Sequence, residues 1–305
     1  MAEEKETDVL EEGDIFFFYR PKINLDDPDA LDDIQRFYFA MRPKGGKDIR
    51  LCIAGRKHLP DVKSHERVWG FVDMVTKEDR EIERGLREER YQTKTRDEQR
   101  EPAARPVGEG VYAITLEDGQ MHLSYALELP EDPGQVQRTF NIAQEASFAL
   151  SVKNPEKGQP KGAGLSEDQE ADYPNRLQDV FRDRRFARED VRLLNYEGAE
   201  FILVGARQDP KKAYGAPISP KDEDYGSSDT VRKLRMVKSR HPVKPLFEGE
   251  WDRPAITVSG TSDARDLIKL PFAFSGARDL CRKLPAPGYH LALRQKPMTH
   301  LEQLL

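Results

Sequence analysis

The chain has 305 residues, of which 34% are charged and 37% hydrophobic, and its net charge is −6. No apolar run approaches the roughly 18 residues of a membrane-spanning helix, and the acidic start Met1-Ala2-Glu3-Glu4 lacks the basic-then-apolar order of a secretory signal. Cys52 and Cys281 stand far apart without a CxxC pair, so a disulfide scaffold is excluded and a cytoplasmic protein is expected.

The net charge conceals an alternation along the chain. Residues 1–33 carry 12 acidic and 3 basic groups, residues 34–107 carry 18 basic and 13 acidic, and residues 231–305 carry 14 basic and 7 acidic. Residues 1–10 read as a flexible acidic tail. Ile15-Phe16-Phe17-Phe18-Tyr19 is apolar on both alternating faces, between Gly13-Asp14 and Pro21, which is the pattern of a strand covered on both sides. Phe37–Met41 and Ile49–Ala54 flank Pro43-Lys44-Gly45-Gly46-Lys47-Asp48 and predict a hairpin. Val68–Val75 supplies a fourth strand. Thr76, three residues ahead of Asp79, opens a helix predicted to run to about Tyr91. Only Ile82 and Leu86 in that helix are spaced to touch a core, so it is expected to lie exposed at an edge, with Glu/Arg pairs along it.

Residues 92–109 read as a long polar loop. Val111–Glu117 and Met121–Leu129 surround Asp118-Gly119-Gln120, a second hairpin. Leu123, Tyr125 and Leu127 share one face of its second strand, and His122, Ser124, Ala126 and Glu128 share the other, which is expected to be wetter. A short helix follows Pro133, and Phe148, Leu150 and Val152 alternate in a further strand. Hairpins outnumber crossovers, which predicts an α+β fold: an antiparallel-dominated sheet domain over 11–156 with two short helices. Residues 157–171 have linker composition. Residues 172–251 read as a small second α/β subdomain, with a helix carrying Leu177, Val180 and Phe181, a buried strand Phe201–Val204, and a polar surface excursion from Asp209 to Thr230. Residues 252–305 are net basic and Pro-interrupted, with an approximate repeat between Ser262–Pro271 and Ser275–Pro285, and are expected to form a loosely ordered extension.

Motifs for catalysis are sparse. His65-Glu66 is not HExxH, the histidines lack ligand spacing, and Gly45-Gly46-Lys47 lacks the first glycine and the Ser/Thr of a phosphate loop, so neither a metal nor a cofactor is expected. Two groups of residues are binding candidates. Lys94, Arg96, Arg100 and Arg105 are long donors interleaved with threonines, able to gather several charge-assisted bonds to a phosphate or carboxylate. Tyr19, Arg20 and Lys22 form an aromatic-basic run at a strand end, a combination that stacks on bases and neutralises phosphates.

Glu12–Pro21, Gly108–Tyr112, Ser151–Pro155 and His241–Trp251 together resemble a group of uncharacterised bacterial proteins over about residues 11–251. The resemblance implies no activity or site, and it makes the stretch after Trp251 an extension. Gly13-Asp14-Ile15-Phe16-Phe17-Phe18-Tyr19 is also similar to the Gly-Asp-x-x-x-Phe-Tyr string of PUA-like RNA-binding domains, over those seven residues alone. The expected function is a cytoplasmic binding protein for an anionic partner, either nucleic acid or an acidic protein surface. One rival is an enzyme acting on a phosphorylated or carboxylated small molecule, with acid/base groups among Glu109, Asp118 and His122. A structural protein that self-associates through its charge blocks is the other.

Overall fold

The structure, a computed structural model, describes residues 8–45, 48–93, 96–158, 164–238 and 241–252, with backbone alone at 93, 96 and 97. The strands are β1 (Asp8–Pro21), β2 (Ile34–Pro43), β3 (Ile49–Ala54), β4 (Arg67–Thr76), β5 (Glu89–Thr93), β6 (Arg96–Glu101), β7 (Arg105–Glu117), β8 (Gln120–Leu129), β9 (Glu145–Lys153), β10 (Phe186–Ala187) and β11 (Glu200–Arg207). The helices are α1 (Asp79–Leu86), α2 (Gln135–Thr139) and α3 (Asn175–Gln178) between strands, and α4 (Pro210–Tyr214), α5 (Asp229–Arg232) and α6 (Lys244–Glu248) after β11.

Strands β9, β11, β4, β3, β2, β1, β7 and β8 follow one another side by side, and β8 then pairs with β9, Met121 facing Leu150 and Ala126 facing Glu145. The eight strands therefore close into an antiparallel barrel. This overturns the expected α+β fold: the antiparallel sheet closes on itself, the β8–β9 ladder removing its free edges, and the helices are short segments of four to eight residues. The expected small α/β subdomain over 172–251 is likewise not a separate layer, because β11 inserts between β4 and β9 as a barrel strand. A barrel of eight strands has an interior just wide enough for side chains to fill. Residues 253–305, with the repeat and the expected loose extension, lie outside the described residues.

Both predicted hairpins form, β2 with β3 and β7 with β8, the latter turning at Asp118-Gly119 with positive φ at both residues. The apolar run in β1 is buried on both faces for a reason specific to the barrel. Ile15, Phe17 and Tyr19 point into the lumen. Phe16 and Phe18 point outward, where Ile82 and Leu86 of α1 and Leu234 and Met236 cover them. Helix α1 is thus a lid on the outer face and not the exposed edge helix expected, and it ends at Leu86 instead of Tyr91. The face of β8 expected to be wet is also covered. Ala216 and Ile218 pack on Ala113 and Ala126, and Ser124 is fully buried.

Two plugs close the barrel. At one end Val136, Phe140 and Ile142, from α2 and the turn after it, join Trp251 against Tyr19, with ring centroids 5.3 Å apart for Tyr19–Phe140 and 5.4 Å for Tyr19–Trp251. The backbones of Gly134 and Gly249 touch there; a Cβ on Gly134 would fall 2.3 Å from the Gly249 carbonyl oxygen, so only glycine allows this approach. At the other end the turn Val191–Asn195 inserts Leu193 and Leu194. The expected linker 157–171 ends in a packed segment, where Leu165 and Ala171 are buried and Lys153 bridges Glu170 and Glu200 at 2.8 Å each.

Candidate functional site

The barrel lumen is a packed core. Phe17, Phe37, Tyr125, Phe140, Tyr19 and Trp251 form a continuous set of ring contacts in it. Toward the other end Arg50 forms two bonds with Glu11, 2.5 Å and 2.7 Å long. The Tyr112 hydroxyl donates to Glu11 at 2.8 Å, and Arg50 Nε donates to Asn195 Oδ1 at 2.8 Å. Burial opposes the Arg50 charge, but the hydrogen bonds and charge of Glu11 outweigh it and raise its pKa.

The seven predicted binding residues do not converge on one anion site. Tyr19 lies in the lumen, where burial pushes its hydroxyl pKa well up while Arg105 beside it offsets part of that rise. Arg105 is itself buried and donates to the carbonyls of Asp26 and Asp252. Arg20 ends α1. Its Nη2 donates to the Gly85 carbonyl at 3.0 Å and its Nη1 to the Arg87 and Pro102 carbonyls at 3.0 Å and 2.9 Å, while Nε reaches the Tyr38 hydroxyl at 3.2 Å. Such a side chain clamps orphan carbonyls at a helix end, which is a structural task. Lys22 is exposed. Lys94 and the Arg96 side chain lie outside the described residues.

Part of the polar loop expected over 92–109 is instead a two-stranded ribbon, β5 with β6, and the rest begins β7. Its register sets Glu89 opposite Glu101 and Arg90 opposite Arg100, like charges that disfavour pairing on their own. Neighbours compensate. Arg100 pairs with Asp26 and with Glu88 at 3.3 Å, and Arg90 with Glu88 at 2.9 Å. Asn24 clasps the β6 edge: its N–H donates to the Arg100 carbonyl and its Oδ1 accepts from the Arg100 N–H, both at 2.9 Å. Tyr91, on the ribbon, is 41% exposed, and Ile23, next to the clasp, is 38% exposed.

A second polar cluster covers the outside of β7 and β8. Glu109, buried, accepts the Ser228 hydroxyl at 2.7 Å and the backbone N–H groups of Asp229 and Thr230 at 2.5 Å and 3.0 Å. Glu128 accepts the Lys221 N–H at 2.8 Å, and burial is the main cause of its raised pKa. Glu223 has its pKa raised to about 8, chiefly by burial and then by the hydrogen bond and charge of Glu109. Of the suggested acid/base groups only Glu109 is here. His122 lies across from Thr115, six positions along β7, or about 20 Å at ~3.3 Å per residue. It stacks on Tyr214 with centroids 4.1 Å apart, and burial lowers its pKa. Asp118 sits in the β7–β8 turn. Sequence reasoning missed Glu223, Glu128 and Ser228, since nothing in Asp222-Glu223-Asp224 distinguishes a proton-holding carboxyl from a solvated one.

Among the described residues no group of three or more His, Cys, Asp or Glu side chains is placed to hold a metal ion, and no helix is long and apolar enough to cross a membrane. No family model matches the chain, and no curated protein and no solved structure matches it either, so the resemblance over 11–251 rests on the quoted strings alone.

Proposed function

We propose that the protein is a non-catalytic binding module that meets single-stranded nucleic acid through its outer surface, with the β5–β6 ribbon as the contact element. The observation that carries this reading is the ribbon itself, a two-stranded sheet separate from the barrel that presents the exposed Tyr91 on one face and the Arg90–Arg100 pair on the other. An exposed aromatic ring offers a base a stacking partner, and neighbouring guanidinium groups offer its phosphates a counter-charge. The arginines are paired with Glu88, Glu98 and Asp26, but exposed pairs of this kind contribute little, so a phosphate can replace a carboxylate at small cost. The packed lumen argues against the rival reading as a small-molecule enzyme, because such sites are concave and bury most of their ligand. Glu109, the one candidate acid/base group in a carboxyl cluster, already accepts hydrogen bonds from Ser228, Asp229 and Thr230.

The test is binding of a fluorescently labelled single-stranded oligonucleotide across a salt series. Replacing Lys94, Arg96 and Arg100 together with Gln should weaken binding at least tenfold and make the dependence on log salt shallower by about 2, at ~0.7 for each phosphate no longer neutralised. Equal affinity and equal slope for the two proteins would overturn the reading. So would binding of an acidic peptide in place of the oligonucleotide, which would move the partner to an acidic protein surface.

A further inference from the structure

We propose that Glu223 and Glu109 share one proton, and that this proton is a pH-sensitive latch holding the strap 215–230 against the outer face of β7 and β8. The strap has few apolar anchors. Ala216 and Ile218 rest on Ala113 and Ala126, Tyr225 packs on Phe247 with ring centroids 5.3 Å apart, and the other attachments of the strap are polar. The Lys221 N–H bonds Glu128, and Ser228, Asp229 and Thr230 all donate to Glu109. Glu223 lies between these two attachments. One of its oxygens is sealed from solvent and faces no donor from any other group. The Glu223 carboxyl is within hydrogen-bonding contact of the Glu109 carboxyl, with Glu128 and Asp229 as the next charges. Two acceptor-only carboxylates cannot satisfy one another; one carboxylic acid and one carboxylate can. Glu109 already accepts three hydrogen bonds, so the proton sits on Glu223 and is donated to Glu109.

The groups packed around the latch are mostly of one sign. Glu109 comes from β7, Glu128 from β8 and Asp229 from α5, and Asp14 of β1 acts on Glu128. The nearby cations are committed elsewhere or stand at the rim. Lys233 bonds Asp14 at 2.9 Å and also Asp229, and Arg42 bonds Asp14 and Asp79. Lys221 acts only on the Glu128 side. Loss of the latch proton therefore adds a negative charge to a covered carboxylate cluster. Glu223 has its folded-state pKa raised from 4.5 to about 8. Its contribution to stability is therefore complete below about 4.5, declines as pH rises through that interval, and is gone above about 8. Lys233 ties Asp229 at the end of the strap to Asp14 of β1, so that end stays anchored and release is local, not global.

Hydrogen–deuterium exchange of the full chain at pH 6.5 and pH 9, corrected for intrinsic exchange, tests this. Protection of amides in 216–230 should fall at least tenfold at the higher pH while protection in β1 and β2 holds. In Glu223→Gln the side-chain amide donates to Glu109 at every pH, and protection of the strap should stay level between the two conditions. Wild-type protection that is unchanged by pH would overturn the proposal, as would a step of equal size in Glu223→Gln. The Glu223 carboxyl, followed by carbon NMR, should titrate near 8; a midpoint in the ordinary carboxylate range would also overturn it, independently of how the variant folds.

Discussion

Two buried carboxyl groups, Glu11 in the lumen and Glu109 on the outer face, have opposite kinds of partner. Glu11 meets a guanidinium, a phenol hydroxyl and, through Arg50, the Asn195 amide, so the donors in that plug meet acceptors of complementary charge. Glu109 meets hydroxyl and backbone donors on one side and another carboxyl on the other. Burial in a low-dielectric interior amplifies both arrangements. In the first it strengthens the attraction between Arg50 and Glu11. In the second it forces one acid to keep a proton into the neutral range, and so ties a surface strap to pH.

The largest effect expected from breaking this contrast is at Arg50. Arg50→Met leaves Glu11 buried without its counter-charge and should cost about 3–5 kcal/mol, measured by denaturant unfolding. The double change Arg50→Met with Glu11→Leu should recover most of that loss, because an apolar pair of similar volume replaces an ion pair with little net cost. A double variant as unstable as the single one would mean that the plug is held by packing of Leu193 and Leu194 and not by charge. Next in size is Glu109→Gln, which replaces an acceptor oxygen with a donor facing Ser228, Asp229 and Thr230 and should cost about 1–3 kcal/mol. It should also bring the Glu223 midpoint down from about 8 while leaving it above the ordinary carboxylate value, since burial is the larger cause of the shift.

The apolar lining of the lumen was legible in the sequence but the partners of the two carboxyls were not, Glu109 standing out only as an acid/base candidate and Glu11 not at all, for physical reasons. Five consecutive apolar residues in β1 announce cover on both faces, and the β7–β8 turn announces itself by Asp118-Gly119. Barrel closure depends on β8 meeting β9 and on β11 inserting beside β9 after a separation of nearly fifty residues, which local periodicity does not encode. The ribbon was invisible because Glu89–Thr93 and Arg96–Glu101 are held by cross-strand ion pairs and by the Asn24 clasp, with no apolar alternation to detect. The Glu/Arg spacing of α1 continues past Leu86 and suggests a longer helix, whereas Arg20, 65 positions before Gly85, takes the carbonyls that end it. Hydropathy marks the strap as polar surface chain but does not reveal that its backbone N–H groups are what a buried glutamate requires.

The smallest effect expected is on the ribbon, and it sharpens the contrast from the solvent side. Arg90 is 60% exposed and pairs with Glu88 at 2.9 Å and Glu98 at 3.7 Å. Water and salt screen such pairs, so Arg90→Gln should leave the melting midpoint nearly unchanged, and raising the salt concentration should shrink even the small difference that remains. The same substitution removes an exposed cation from the ribbon, so oligonucleotide affinity should fall even though the midpoint scarcely moves. If the midpoint falls by as much as it does for Arg50→Met, the ribbon pairs are structural in the way the lumen pair is, and the arginines are not free to exchange a carboxylate for a phosphate.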